Sequence, residues 1–268
     1  MTLPALAVEG LVHRFAGPPP VAVLDGVSFR VPAGGFASLV GPSGCGKSTV
    51  LRVLAGLLAP DAGRAEVHGE STIGRPGLVA YMPQRDLLLP WRRALDNATL
   101  GAEVGGLDRA AARARARELF VRFGLGGFER AWPSQLSGGM RQRLALLRTF
   151  LAARPVMLLD EPFGALDAIT RREMHGWLEE LWLADAAAGA ARRTTLFVTH
   201  DVEEALLLSD EVHVVSSRPG RIADSVVSPF PRPRPRELVT SAEFVERKAR
   251  LLAALDKASG PPPPSAGR

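Results

Sequence analysis

The sequence predicts an α/β fold, and three observations carry that reading. An apolar run, "FASLV" at Phe36–Val40, leads directly into a glycine-rich loop and then into a helical pattern. Two more short apolar runs, in "PVMLLDEP" and "TTLFVTHD", flank an amphipathic helix predicted over Arg171–Leu183, and strand, helix, strand in that order means parallel pairing. Between the glycine loop and these runs, residues from about 88 to 153 are rich in Ala, Leu and Arg with helical spacing, and read as a helical insertion.

Each element has its own signal. "ALAVEGLVHRF" and "VAVLDGVSFRV" combine β-branched residues with near-alternation, so two strands precede Phe36–Val40. "KSTVLRVLAGL" sets Val50, Val53, Leu54 and Leu57 at helical spacing, and "APDAG" punctuates its end. Within the insertion, "DRAAARARARELFVRFG" is helical, and a further helix follows the double glycine of "LSGGMRQRLALLRTFLAA" with Leu144, Leu147 and Leu151 on its core face. "DEVHVVSSRPGRIADSVV" has strand propensity broken by a Pro-Gly turn. "PFPRPRPRE" is too proline-rich for a packed core strand, whereas "SAEFVERKARLLAAL" reads as one closing helix and "SGPPPPSAGR" as a disordered tail. The expected organisation is a main domain over residues 1–225, a C-terminal extension over 226–258 with one helix, and the tail over 259–268.

Composition narrows the function classes. A chain of 268 residues, 46% hydrophobic, can bury one sizeable core with a smaller appended subdomain. The net charge of +5 comes almost entirely from arginine, since Lys47, Lys248 and Lys257 are the only lysines, and nucleic-acid binding is not expected from that bias alone. The single cysteine, Cys45, excludes an intrachain disulfide and suits a reducing compartment. No run approaches the roughly eighteen apolar residues of a membrane span, and "MTLPALAVEG" lacks a basic-then-apolar signal. A membrane role would then be exercised from the cytoplasmic side through a partner.

The chemistry concentrates in a few stretches. Gly41, Pro42, Ser43, Gly44, Cys45, Gly46, Lys47, Ser48 and Thr49 form a complete phosphate loop, G-x-x-x-x-G-K-[ST], between a strand and an uncapped helix start. Its glycines let backbone N–H groups turn onto phosphate oxygens, Lys47 neutralises the β- and γ-phosphates, and Ser48 offers its hydroxyl to Mg²⁺. Cys45 fills a variable slot with no redox role. Asp160 ends a buried strand and suits a Mg²⁺ ligand acting through water; Glu161 beside it can orient or deprotonate a water attacking the γ-phosphate, or else serve as a plain helix-start acid. His200 ends a strand at the edge where ligands gather in open α/β sheets, while His13, His68, His175 and His213 read as surface or packing residues. Ser137, Gly138 and Gly139 open a basic helix and look like a second phosphate-binding device.

A phosphate loop, the Gln84 of "YMPQRD", "LSGGMRQR", the acidic pair Asp160–Glu161, "GALD" and a strand-end His, in that order, resemble the ATP-binding subunit of ATP-binding-cassette transporters over roughly residues 5–225. The resemblance implies a RecA-like P-loop NTPase core, an antiparallel β subdomain and an inserted α-helical signature subdomain. It implies ATP and Mg²⁺ as cofactors, ATP hydrolysis, and a homodimer in head-to-tail arrangement, with Ser137, Gly138 and Gly139 serving the ATP on the partner's phosphate loop. Phe15, or its neighbour His13, resembles the aromatic residue that stacks on adenine. Gln84 resembles the glutamine that senses Mg²⁺ and the attacking water, Asp167 the residue that crosses the dimer interface, and His200 the histidine that contacts the γ-phosphate. Met140 departs from the commonest signature, which has Gln there.

"RDLLLPWRRALDNATLG" and "DEPFGALDAITR" further resemble the nitrate/sulfonate/taurine import group, whose solutes also include bicarbonate and a pyrimidine precursor of thiamine. That resemblance implies a separate integral-membrane permease, an extracytoplasmic solute-binding protein, and a place on the cytoplasmic face of a bacterial inner membrane. Leu87, Leu88, Leu89 and Trp91 either pack inside the helical insertion or line a groove for a short permease helix. Chromosome-organising ATPases of the same signature place a long coiled coil where only about ninety residues stand here, and translation factors join two cassettes in one chain.

Overall fold

A computed structural model describes residues 3–187 and 192–260, so most of the tail expected over 259–268 lies outside the described residues. Six strands form the central sheet: β3 (Phe36–Val40), β6 (Ala80–Met82), β7 (Val156–Asp160), β8 (Thr194–Val198), β9 (Glu211–Val215) and β10 (Ile222–Val227), in the order β10-β9-β3-β8-β7-β6. All pairs are parallel except β10 on β9. The antiparallel pair is the run that the Pro-Gly turn interrupts. A second, antiparallel sheet holds β1 (Leu6–Phe15), β2 (Val21–Val31), β4 (Ala62–Val67) and the short β5 (Glu70–Ser71), in the order β2-β1-β4-β5.

Side-chain alternation along β7 builds both cores at once. Val156 and Leu158 face the antiparallel sheet and α1 (Lys47–Leu54), packing with Leu39, Val50 and Val198. Met157 and Leu159 face the opposite way, into a core with Phe36, Phe197 and the helical insertion. That insertion comprises α2 (Ala94–Val104), α3 (Arg109–Arg122) and α4 (Gly138–Leu151), and its small Ala98, Ala112 and Ala116 let the helices approach closely around Phe120 and Leu147. The helix between β7 and β8, α5, runs Ala168–Ala187, beyond the expected Arg171–Leu183 at both ends; its earlier start is set by Asp167, which accepts from the N–H groups of Ile169 (3.1 Å) and Thr170 (3.0 Å). No described helix is long and apolar enough to cross a membrane.

After α6 (Val202–Leu208) and the last two strands, the proline-rich stretch forms no strand, as expected, yet it packs on the core through its arginines. Arg234 is buried and donates to the carbonyls of Leu207 (2.9 Å), Ser209 (2.8 Å) and Phe230 (3.1 Å). Burial and the neighbouring Arg232 lower its pKa to about 10, against the opposing pull of Asp210 and Glu179, so it stays charged at neutral pH. Arg232 pairs with Glu179 at 3.0 Å and lies over the Trp182 ring at 4.5 Å. The closing helix, α7 (Ala242–Ser259), is capped by Ser241 and buries Phe244 and Leu251.

Candidate nucleotide site

Parallel pairing sets the site. Strand β3 ends at Val40, β7 at Asp160 and β8 at Val198, with Leu39 opposite Val198 and Val198 opposite Asp160, so the segments that follow all emerge on one sheet edge. Those segments are the phosphate loop, Glu161 and His200. The loop enters α1 through Gly46 at φ 110°, a left-handed conformation that favours glycine, and α1 has no side-chain cap on its first N–H groups.

Lys47 is buried, and its Nζ donates to the carbonyls of Gly41 (2.7 Å) and Pro42 (3.0 Å). This arches the ammonium back over the loop. Ser48 Oγ donates to Asp160 Oδ1 at 3.1 Å. Burial pushes the Asp160 carboxyl up from its ordinary range; the Ser48 hydrogen bond and Lys47 oppose that rise, and Glu161 adds to it.

Glu161 has φ 48°, unusual for a residue with a side chain, and its backbone is held on both sides. Its N–H donates to the Val198 carbonyl (2.9 Å), and its own carbonyl accepts from Gln142 Nε2 (3.3 Å). The carboxylate then meets two side chains: Gln84 Nε2 donates to Oε2 at 3.1 Å, and His200 Nδ1 lies 3.7 Å from Oε1. A carboxylate so placed, above a phosphate loop and beside an imidazole, can accept a proton from or orient a water at a γ-phosphate.

A cleft of about 510 Å³ runs along this edge, lined by Phe15, Val21, Ser43, Lys47, Gln84 and Glu161 among others. Phe15 is on the cleft; His13 is buried and meets the Phe15 ring edge-on with centroids 4.6 Å apart, which makes it support for that ring. A second cleft of similar volume, about 520 Å³, opens between α5, α6 and the C-terminal segment, where Arg171, Arg172, Arg234 and Arg236 meet Glu179, Asp201, Glu203 and Glu237. That balance of charge and the absence of phosphate-binding backbone from its lining leave the first cleft as the candidate nucleotide site.

Ser137, Gly138, Gly139 and Asp167 line no part of that cleft. Ser137 caps α4 by accepting from the Met140 N–H at 3.2 Å and is exposed, as is Gly138. Asp167 is fully exposed, and hydrogen bonds from Thr170 and Ile169 hold its carboxyl below the usual range. Three cleft residues escaped sequence reasoning: Arg218, from the Pro-Gly turn after β9, and Val21 and Val23 near the start of β2. The turn was visible, but its position beside the phosphate loop depends on β9 pairing with β3.

Residues 24–164 match the ABC transporter family. The chain belongs to that family. As a cassette of this kind it is an ATPase built on the RecA-like P-loop core. It is 43% identical to the aliphatic sulfonates import ATP-binding protein SsuB 2 of Streptomyces avermitilis, over 95% of this chain and 92% of that one. It is 44% identical to the formylaminopyrimidine import ATP-binding protein ThiZ of Halalkalibacterium halodurans, over 74% of each. Its fold matches MJ0796, a bacterial ABC transporter cassette solved as a dimer, with a TM-score of 0.74 and 25% identity over 84% of this chain and 99% of that one. The same cassette has been solved in a post-hydrolysis state with ADP and Pi.

Proposed function

We propose that this chain is the ATP-hydrolysing subunit of a membrane importer, working as a head-to-tail homodimer at the cytoplasmic face of a bacterial inner membrane. The observation that carries the dimer is the separation of the two phosphate devices: the cleft holds the phosphate loop, Gln84 and Glu161, while the Ser137–Gly139 turn lies elsewhere on the same chain, with Ser137 and Gly138 exposed and Gly139 half-buried. A second copy would bring that turn to the first copy's ATP, with Asp167 at the shared interface. The import reading is supported by relatives whose names describe import of sulfonates and of formylaminopyrimidine.

In this reading Phe15 stacks on adenine, the backbone of Gly41–Thr49 and Lys47 hold the phosphates, and His200 contacts the γ-phosphate. Glu161 takes a proton from or orients the attacking water, and Gln84 holds Glu161 in place. The residues facing the phosphates also fit Mg²⁺: the Ser48 hydroxyl, the Asp160 carboxylate and the Gln84 amide oxygen are hard oxygen donors. Among the described residues no group of three or more His, Cys, Asp or Glu gathers in metal-binding geometry, so such an ion would share its ligands with the nucleotide. Bound there, Mg²⁺ supplies charge neutralisation at the phosphate oxygens.

The solute belongs to the sulfonate, taurine, nitrate, bicarbonate or thiamine-pyrimidine class, carried by a permease and an extracytoplasmic binding protein that this subunit energises. Reconstitution with those partners in vesicles tests it. ATP-dependent uptake of one of these solutes is expected, and outward movement or no coupling would overturn the import reading.

A further inference from the structure

The connection from β9 to β10, Ser216–Arg221, rises from the same sheet edge as the phosphate loop, because β9 runs parallel to β3. It is a tightly held turn. The Ser217 N–H donates to the Ala258 carbonyl (2.9 Å), the Gly220 N–H to the Val23 carbonyl (2.8 Å), and the Asp25 N–H to the Gly220 carbonyl (3.0 Å). Arg221 pairs with Asp25, its Nε at 3.0 Å. The turn's backbone packs directly on the phosphate loop: a Cβ on Gly220 would lie 2.2 Å from the Cys45 carbonyl oxygen, and one on Gly41 would lie 2.5 Å from that of Val215. No side chain fits at either contact.

This framework delivers one cation to the cleft. Arg218 Nε donates to the Gly44 carbonyl at 3.1 Å, and its side chain lines the cleft with Phe15, Lys47 and Ser48. Among the described residues no carboxylate pairs with it, whereas Arg221, three residues on, has Asp25. A guanidinium anchored by one N–H presents its remaining donors as a planar fork, the geometry that suits phosphate oxygens.

We propose that Arg218 is a nucleotide-binding residue, a second cation beside Lys47 that grips the phosphate chain of the bound nucleotide from the β9 side. The bland alternative is a solvated arginine that merely pins the Gly44 carbonyl. The proposal rests on the cleft being the ATP site, and the test separates the two claims.

Affinity for ATP is measured by calorimetry on the full chain without Mg²⁺, to prevent turnover, at several salt concentrations, for the parent protein, Arg218→Ala, Arg218→Lys and Arg218→Gln. The parent is expected to bind ATP. Arg218→Ala is expected to weaken binding about tenfold, with AMP affected less than ATP, and to flatten the dependence of log Kd on log salt. Arg218→Lys should recover most of the loss; Arg218→Gln, which can still donate to Gly44 but carries no charge, should not. If Arg218→Ala lowers the melting temperature without nucleotide, the Lys and Gln variants decide. Failure of the parent to bind ATP overturns the cleft assignment. Parent binding with equal affinity in Arg218→Ala, or recovery by Gln, overturns the role of Arg218 alone.

Discussion

Gln84 and Glu161, 77 positions apart in the chain, are joined by a 3.1 Å hydrogen bond from the glutamine amide to the carboxylate. The bond follows from β6 pairing in parallel with β7, Met82 opposite Leu159, which sets the segments after both strands side by side. It leaves the other carboxylate oxygen toward His200. Replacing Glu161 with Gln keeps the shape and removes the base. ATP should still bind, through Lys47 and the loop, while turnover falls roughly 10²- to 10⁴-fold and an ATP-bound dimer accumulates on size-exclusion chromatography. Near-normal turnover would remove the assigned role. Lys47→Ala should instead lose binding.

Local signals made the elements readable in the sequence and left their meetings hidden. The strand at Val156–Asp160 and the helix from Lys47 are announced by apolar runs and by the glycine loop, because those patterns are properties of neighbouring residues. The resemblance assigned Asp167 to a dimer interface, whereas the structure shows its side chain capping α5, and so the helix starts earlier than its apolar spacing suggested. The C-terminal arginines were opaque. Nothing in "PFPRPRPRE" marks Arg232 and Arg234 for burial, and they become core residues only once Glu179, Asp210 and five backbone carbonyls converge on them in space. Arg218 was missed for the same reason: nothing in the spacing of "SSRPGRI" says that the turn lands on Gly44.

The position of Ser137–Gly139 outside the cleft leads to a test of the composite site. Lys47→Ala and Ser137→Arg should each be inactive as homodimers. In a one-to-one mixture, half of the dimers carry both lesions in one site and leave the other whole, so hydrolysis should recover to roughly a quarter of the parent value if sites act independently. Cysteines placed at Ser43 and Ser137 should cross-link between chains in the presence of ATP. Bonds found only within single chains would contradict the head-to-tail dimer.

His213 makes stability depend on pH. Its ring is buried against Phe29, with Nδ1 2.7 Å from Ser225 Oγ, and burial lowers its pKa to about 4. The unfolded chain, with an ordinary histidine near 6.5, takes up a proton in that window that the folded chain refuses. The stability present above about pH 6.5 is therefore lost as pH falls toward 4, by about 3 kcal/mol across the whole window. Burial raises the pKa of Asp160 and Glu211, and raised carboxyls act in the opposite sense, so the informative quantity is a difference. Urea unfolding at pH 7.5, 5.5 and 4.5 should show a steeper acid loss for the parent than for His213→Gln. Parallel curves would mean that the ring is not kept neutral.

The segment after Gln84 is partly buried and partly at the surface. Its backbone is pinned: Arg148 donates to the Asp86 (2.6 Å) and Leu87 (2.8 Å) carbonyls, and Asn97 Oδ1 accepts from the Leu89 N–H at 2.7 Å. Leu88 points into the core of the helical insertion and is 9% exposed, whereas Leu87 and Trp91 are 59% and 70% exposed. Of the two alternatives, Leu88 takes the packing one. Leu88→Ala should cost about 2–5 kcal/mol of stability through its cavity, read as a lower urea midpoint. Trp91→Gln should leave stability within about 0.5 kcal/mol of the parent and basal ATPase unchanged, because the ring touches solvent. Large exposed aromatics beside a rigid backbone are how interfaces concentrate their energy, so the same variant should lose co-purification with the permease and ATP-driven transport. Since Trp91 shares its pinned segment with Gln84, closure around ATP would move both together. A Trp91→Gln subunit that assembles and transports normally would leave that coupling to other surfaces of the insertion.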